Sequence, residues 1–341
     1  MPYTQIPVRL VTMAQTLPII DISPLRFDPT SSEALATIEA LDAACQRWGF
    51  FAITGHGVDA GAYARLDAVA RRFFAQAEEH KAAIAMARGG RAWRGWFPLG
   101  GELTSGIPDA KEGLYLGEEL DGSDPRVQRG LPLHGPNLFP QEPADLRGAV
   151  LAHLEAMTSL GHLLMAALGC GLGLGPTWFD EHLTASPTTL FRIFRYPPVE
   201  VGTPGWGVGE HTDYGLLTIL GQDGTAGLQV RSPEGEWIDV PSDPEVFICN
   251  LGDMLERMTA GRYRSTPHRV ANHHLGAPDR LSFPFFFDPG WDAIVRPAVA
   301  GPADAVPRWD GMDVHRFDGT YGDYLTKRVA KVFPALGEVV L

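Results

Sequence analysis

From about residue 187 onward the chain breaks into short β-rich runs: 189–196, 214–221, 227–231, 236–240, 245–250, 267–272 and 280–287. Turn segments such as DGTAG, SPEGE and PSDPE separate them. Many short strands punctuated this way restrict the second half to a sandwich or a barrel. The first half reads differently. LPIIDIS (17–23) and GFFAITGHGV (49–58) are strands, and residues 33–48 carry Leu35, Ile38, Leu41, Cys45 and Trp48 at helical spacing. Residues 60–86 read as one helix. Pro143 opens another, running to about Leu168, with Leu146, Val150, Leu154, Met157, Leu160 and Leu164 as its inner stripe. The expectation is an α+β protein with a mainly β core. No repeat and no long linker divides it, so it reads as one structural unit: a helical/mixed region 1–183, a β core 184–293 and a C-terminal cap 294–341, in which YGDYLTKRVAKVF is a helical cover.

Charge and composition narrow the partners. A formal charge of −13 over 341 residues argues against nucleic acid, whose phosphates demand a basic surface. An anionic ligand would have to be held by specific local cations rather than by the overall field. Cys45, Cys170 and Cys249 sit in apolar contexts without CxxC spacing and read as reduced thiols. No signal peptide and no apolar run of membrane-spanning length is evident, so the expected setting is cytoplasmic, with no membrane partner and a small-molecule ligand.

The chemistry concentrates in GEHTDYGLLTIL, 209–220. In an extended segment residues two apart share a face, so His211 and Asp213 point together and Thr212 points away. A third ligand comes 57 residues later: His268, after Pro267, opens the strand HRVAN. Taken singly, His211 and Asp213 are more simply a turn cap, and His268 a hydrogen-bonded core histidine. Together they make a two-His, one-carboxylate face with open coordination positions, the ligand set of non-haem Fe(II) and oxygen chemistry. Twelve residues beyond His268, RLSFPFFF places Arg280 and Ser282 on one face of a very apolar strand. A buried guanidinium needs an anion, and a ligand carboxylate held bidentately with help from the hydroxyl supplies one.

HTD, STPHRV and RLSFPFFFDP, together with GFFAITGHGV, FRYPP and NLGDMLERMTAGRYRS, resemble the isopenicillin N synthase-like family of Fe(II)/2-oxoglutarate oxygenases over about Leu17 to Asp288. The resemblance implies a distorted double-stranded β-helix, or jelly roll, flanked by N-terminal helices and a C-terminal cap. It implies Fe(II) on His211, Asp213 and His268, with 2-oxoglutarate and O2 as cosubstrates. Arg280, Ser282 and Tyr196 would take the far carboxylate of 2-oxoglutarate, and a small molecule would be hydroxylated or desaturated with release of succinate and CO2. Phe194 stands where plant-type members often carry an asparagine that contacts the cosubstrate's other carboxylate. Isopenicillin N synthase itself uses its Arg-x-Ser pair for the substrate and needs no 2-oxoglutarate. Its extra glutamine ligand has no counterpart in KVFPALGEVVL, which favours the 2-oxoglutarate mode. GVGEHTDYGLLTI and ELTSGIPD also resemble bacterial ethylene-forming relatives.

Two rival classes remain open at this level. A zinc hydrolase on the same triad needs a general base near the bound water, and its candidate, Glu210, alternates to the other face. A non-catalytic jelly roll that binds a carboxylate has no need for open metal positions. Around the site, the Gly-rich stretch 88–108 reads as an active-site border or a lid, with Trp93, Trp96 and Phe97 as pocket or core residues. Tyr214 and Gln229 line the substrate cavity or merely pack. Asn250, Gly252 and Asp253 read as a structural turn, His153 and His162 as structural, and His273 and His274 as solvated turn residues.

Overall fold

The computed structural model describes residues 16–104, 106–200, 205–272, 276–302 and 308–333. His273 and His274 lie outside the described residues. The strands are β1 (Ile19–Asp21), β2 (Phe50–Thr54), β3 (Gly95–Phe97), β4 (Glu112–Gly117), β5 (Thr188–Tyr196), β6 (Val208–His211), β7 (Leu217–Gln222), β8 (Leu228–Arg231), β9 (Trp237–Asp239), β10 (Phe247–Leu251), β11 (His268–Val270) and β12 (Arg280–Asp288). They form an eight-stranded sheet, β1-β2-β10-β7-β12-β5-β4-β3, and a four-stranded sheet, β6-β11-β8-β9. From β5 onward successive strands divide between the two sheets, giving the two four-stranded layers of a jelly roll. Strands β1 to β4 widen the larger layer. The expected β-rich second half is therefore the jelly roll itself.

Strands β3, β4 and β6 and one short helix near the site escaped the sequence reading for identifiable reasons. β3 is three residues long, and β4 is buried along its whole length, so neither shows alternation. β6 is four residues, ending at His211. The six-residue helix α8, introduced below, is too short for a period to register.

Helices α1 (Ser23–Phe27), α2 (Ser32–Arg47), α3 (Ala60–Phe74), α4 (Glu78–Ala82), α5 (Pro125–Gln128), α6 (Leu146–Gly171) and α7 (Trp178–His182) precede the jelly roll. The helix expected over 60–86 is thus two. Ala77 takes an extended conformation, and Glu78 and Glu79 open a new helix whose N-terminus favours acidic side chains. The 26-residue α6 is long and apolar enough by length and composition to cross a membrane, contrary to the expectation that no segment would be. In the fold its inner stripe packs against α2, α3, β7 and β12.

β12 shows how sequence becomes a cavity. Phe283, Phe285 and Phe287 point to the helical side, where Phe283 meets Tyr63 and Phe287 meets Gly161 of α6. Arg280, Ser282, Pro284 and Phe286 point between the sheets. Each buried ring contributes about 1.5–3 kcal/mol, enough to fix the register and thereby which side chains enter the cavity.

The turn between β6 and β7 is clamped by the N-terminus of α8 (Asp253–Met258). Gly252 N–H bonds Leu216 O at 3.0 Å, Asp253 N–H bonds Asp213 O at 2.8 Å and Met254 N–H bonds Gly215 O at 3.0 Å. A Cβ on Gly252 would come within 2.3 Å of Gly215 O. Gly252→Ala should therefore destabilise the fold by about 1–3 kcal/mol, as overpacking against backbone does. Urea denaturation measures this, and an unchanged midpoint would show that the turn can shift freely.

Candidate metal centre and ligand cavity

His211 is the last residue of β6, and His268 the first of β11. The two are register partners across an antiparallel pair, which brings their rings to a centroid separation of 4.2 Å. Asp213 lies just past β6, in the turn rather than on a strand with His211, as alternation had suggested. Its Oδ1 stands 3.9 Å from Nε2 of each histidine. One potential ligand atom from each of the three residues falls within 4.8 Å of the others.

The surroundings prepare each group to accept a cation. His211 Nδ1 contacts Gly209 O at 2.8 Å, and His268 Nδ1 contacts Thr266 O at 3.2 Å. Donation from Nδ1–H to a carbonyl leaves the Nε2 lone pair for a metal. Burial, reinforced by neighbouring His268, holds the His211 imidazolium down to about 3, so the ring is neutral at physiological pH. Burial alone would raise the Asp213 carboxyl. His268 and His211, with the hydrogen bonds from Asn250 and Thr218, reverse that and hold it below the usual carboxylate range. Both hydrogen bonds go to Oδ2, from Thr218 Oγ1 at 2.5 Å and from Asn250 Nδ2 at 2.7 Å, leaving Oδ1 for the histidines.

Asn250, read from the sequence as part of a turn, belongs to β10 and acts on Asp213. Its signal was a lone amide in the apolar run FICNL. Asp253 is likewise more than a turn residue. Buried at the start of α8, its carboxylate accepts from Arg308 at 2.9 Å, Arg328 at 2.7 Å and the Tyr324 hydroxyl at 2.7 Å. Arg308 also donates to Thr212 Oγ1 at 3.1 Å. Helix α9 (Tyr321–Val332) and the segment before it thus lock onto the metal-site turn.

A second constellation occupies the same cavity. Arg280 faces Tyr196 across β12 and β5, its guanidinium carbon 4.8 Å from the ring centroid, and Ser282 follows on the same face. Arg280 is 1% exposed. It donates to Gln222 Oε1 at 3.3 Å and to Thr225 O at 3.2 Å, both neutral acceptors. Its Nη1 is buried with no partner, and no carboxylate among the described residues pairs with it. A buried guanidinium so placed is short of one anion.

The proposed substrate residues divide. Tyr214 lines the cavity. Trp96 does not: its Nε1–H bonds Glu112 at 2.8 Å, in a buried cluster with Lys81. Phe97 is core, packed on Tyr115, Phe194 and Phe333. Gln229 bonds Asp239 and Arg269 outside the cavity, and Trp93 is buried against Phe333. Stretch 88–108 is correspondingly no free lid. Its first half is a 3-10 segment leading into β3, which is paired with β4, and only the following turn reaches the cavity, through Glu102 and Thr104. Aromatic and glycine content could not separate an edge strand from a lid. Phe194 is covered by the Lys111 ammonium, 4.5 Å from its ring centroid. The residues missed by sequence reading, Glu102, Lys111 and Arg192, share the cavity's other flank; alternation along β5 from Tyr196 points to Arg192.

Two family models match the chain: the non-haem dioxygenase N-terminal region over residues 17–142, and the 2OG-Fe(II) oxygenase superfamily over 187–289. A probable iron/ascorbate oxidoreductase of Dictyostelium discoideum is 42% identical, over 97% of this chain and 98% of that protein. A 1-aminocyclopropane-1-carboxylate oxidase of Dictyostelium mucoroides is 36% identical, over 94% and 96%. Among solved structures, a dioxygenase for auxin oxidation in rice superposes with a TM-score of 0.66 at 26% identity, over 95% of this chain and 100% of that one. The chain belongs to the 2OG-Fe(II) oxygenase superfamily, within its isopenicillin N synthase-like branch.

Asp288, at the end of β12, also lines the cavity. It accepts from the Tyr321 hydroxyl at 2.5 Å and from Leu216 N–H at 3.1 Å. Burial pushes its carboxyl up to about 7 from an ordinary 3.8. Between these values the unfolded chain is ionised there while the folded one keeps its proton, so this group weakens the fold progressively as pH rises from about 4 to about 7, and no further above. Asp288→Asn should gain stability relative to the parent across that window, by on the order of a few kcal/mol, and show a constant difference below it. Denaturation at a series of pH values checks this; a pH-independent difference would contradict it.

Proposed function

We propose that this protein is an Fe(II)/2-oxoglutarate-dependent oxygenase that hydroxylates or desaturates a small molecule. In this reading His211, Asp213 and His268 hold Fe(II), while Arg280, Ser282 and Tyr196 hold the far carboxylate of 2-oxoglutarate. The observation that carries it is one cavity containing both an acceptor-only triad and a buried arginine with an unpartnered Nη1. Bound there, iron with O2 and 2-oxoglutarate supplies oxidative decarboxylation to succinate and CO2, coupled to two-electron oxidation of the substrate.

The chain's own residues do the positioning. Asn250 and Thr218 fix which Asp213 oxygen faces the metal, and the two backbone carbonyls fix the histidine tautomers. Arg280 orients the cosubstrate from one end, and apolar Leu220, Leu228, Val270 and Phe286 keep water from the space between the sheets. Glu210, the base named for a zinc hydrolase, is paired with Arg231 at 3.2 Å. Unpaired cysteines, two of them buried, and the strongly acidic composition support a cytoplasmic setting and a small-molecule rather than nucleic-acid partner.

His268→Ala should abolish O2 consumption and reduce iron to well below one per chain, with the circular dichroism spectrum retained. Full activity in that variant would remove His268 from the metal centre. Arg280→Ala should raise the 2-oxoglutarate requirement at least about 30-fold, since losing one partner of a buried charge-assisted pair costs about 2–5 kcal/mol, and Arg280→Lys should recover only part because an ammonium lacks the fork. Turnover of substrate at full rate with no 2-oxoacid present would establish instead the 2-oxoglutarate-independent oxidase mode.

A further inference from the structure

Arg192 is unused by any role above. It lies on β5, on the same face as Phe194 and Tyr196, and lines the cavity. Its guanidinium carbon sits 4.0 Å from the Tyr115 ring centroid and 4.9 Å from that of Phe286, in cation–π contact with both rings. Phe286 is the register partner of Thr218, whose hydroxyl holds Asp213, so the guanidinium lies beside the triad.

Its charge is poorly met. The one acceptor it contacts among the described residues is Glu102 Oε1, at a long 3.3 Å, and its Nε is buried with no partner. Glu102 has little more to offer. The same Oε1 takes the Tyr115 hydroxyl at 2.9 Å, and Oε2 is ion-paired with Lys111 at 2.8 Å. Lys111 by contrast has a carboxylate on each side, since Asp109 holds it at 3.0 Å. Of the two cations on this flank, Arg192 has the more donors to spare.

The cosubstrate does not account for it. Arg192 stands four residues along β5 from Tyr196, the register partner of Arg280, or about 13 Å between Cα levels. The two carboxyl carbons of a five-carbon diacid are separated by four C–C bonds, about 5 Å. The guanidinium of Arg280 also leans away, toward Gln222 and Thr225, whereas that of Arg192 rests on Tyr115 and Phe286. A diacid seated on Arg280 leaves Arg192 to a second anion.

We infer that Arg192 is the recognition group for a carboxylate on the primary substrate, so that the cavity selects small organic acids or amino acids and holds their carboxylate beside the triad. This rests on the oxygenase reading and deepens it. A planar fork with its long contact to Glu102 exchanged for two parallel bonds to a carboxylate gains geometry as well as charge, and Glu102 keeps its ion pair with Lys111 at 2.8 Å. An uncharged isostere offers no such exchange.

The test uses the full chain loaded with Fe(II) and 2-oxoglutarate. The probes are 1-aminocyclopropane-1-carboxylate, L-arginine, indole-3-acetate and benzoate, each paired with its primary amide, and succinate formation is the readout. At least one acid should stimulate the parent enzyme while its amide does not. Arg192→Gln should raise the half-saturating concentration of that acid at least about 30-fold, and Arg192→Lys should recover part of it. The anaerobic charge-transfer absorption of the Fe(II)–2-oxoglutarate complex should titrate in both variants within about twofold of the parent, which also shows that they fold. The inference is overturned if no acid in the panel is preferred to its amide, if Arg192→Gln leaves the acid's half-saturation unchanged, or if that variant weakens 2-oxoglutarate instead. Failure of the parent to form the charge-transfer complex at all would overturn the oxygenase reading itself, a distinct result.

Discussion

The two oxygens of Asp213 have different duties, and the rest of the site depends on keeping them apart. Oδ2 is fixed by a hydroxyl on β7 and an amide on β10, while Oδ1 faces two imidazoles on the other sheet. A carboxylate free to turn would present either oxygen, and burial alone would favour its protonated form. Two directed hydrogen bonds fix its orientation and, together with the neighbouring histidines, hold it below the usual carboxylate range. They tie the larger sheet to the smaller at one point, so the spacing of the layers and the geometry of the triad are the same quantity.

The turn carrying Asp213 has no regular structure of its own, and its position is inherited. Backbone bonds from Gly252, Asp253 and Met254 hold it from below, and the Asp253 carboxylate relays that hold to Arg308, Arg328 and Tyr324. The C-terminal helix therefore contributes to the metal centre without touching it. Its ion pairs are buried, where removing one partner strands the other, so such a network fixes geometry more than it adds stability.

Electrostatics divides the cavity in a way that net charge hides. A chain of formal charge −13 places buried Arg280 and Lys111 and a half-buried Arg192 around one cavity between its sheets. Lys111 is neutralised by two carboxylates, Arg192 by a distant share of one, and Arg280 by none among the described residues. Desolvation makes each unmet donor expensive, and the expense is recovered only when an anionic ligand arrives. An anionic ligand is thereby favoured at both ends of the cavity.

The sequence by itself determined the class of fold and which residues are candidates for the site. His211, His268, Arg280 and Ser282 were legible because each sits at a strand terminus or alternates within a strand, and Asp213 because it follows His211 at fixed spacing; ordered spacing is a one-dimensional property. The run of short strands likewise announced a sandwich or a barrel, and the family resemblance implied the jelly roll. Only the tertiary structure decided what surrounds them. Asn250, Asp253 and Arg192 act through partners 37, 71 and 90 residues away, at Asp213, Tyr324 and Glu102, and no local pattern encodes a contact across two sheets. Trp96, Phe97 and Gln229 failed as substrate residues for the complementary reason. A large apolar or amide side chain near a site in sequence has two faces of a sheet to choose from, and pairing with β4 or β9 made the choice.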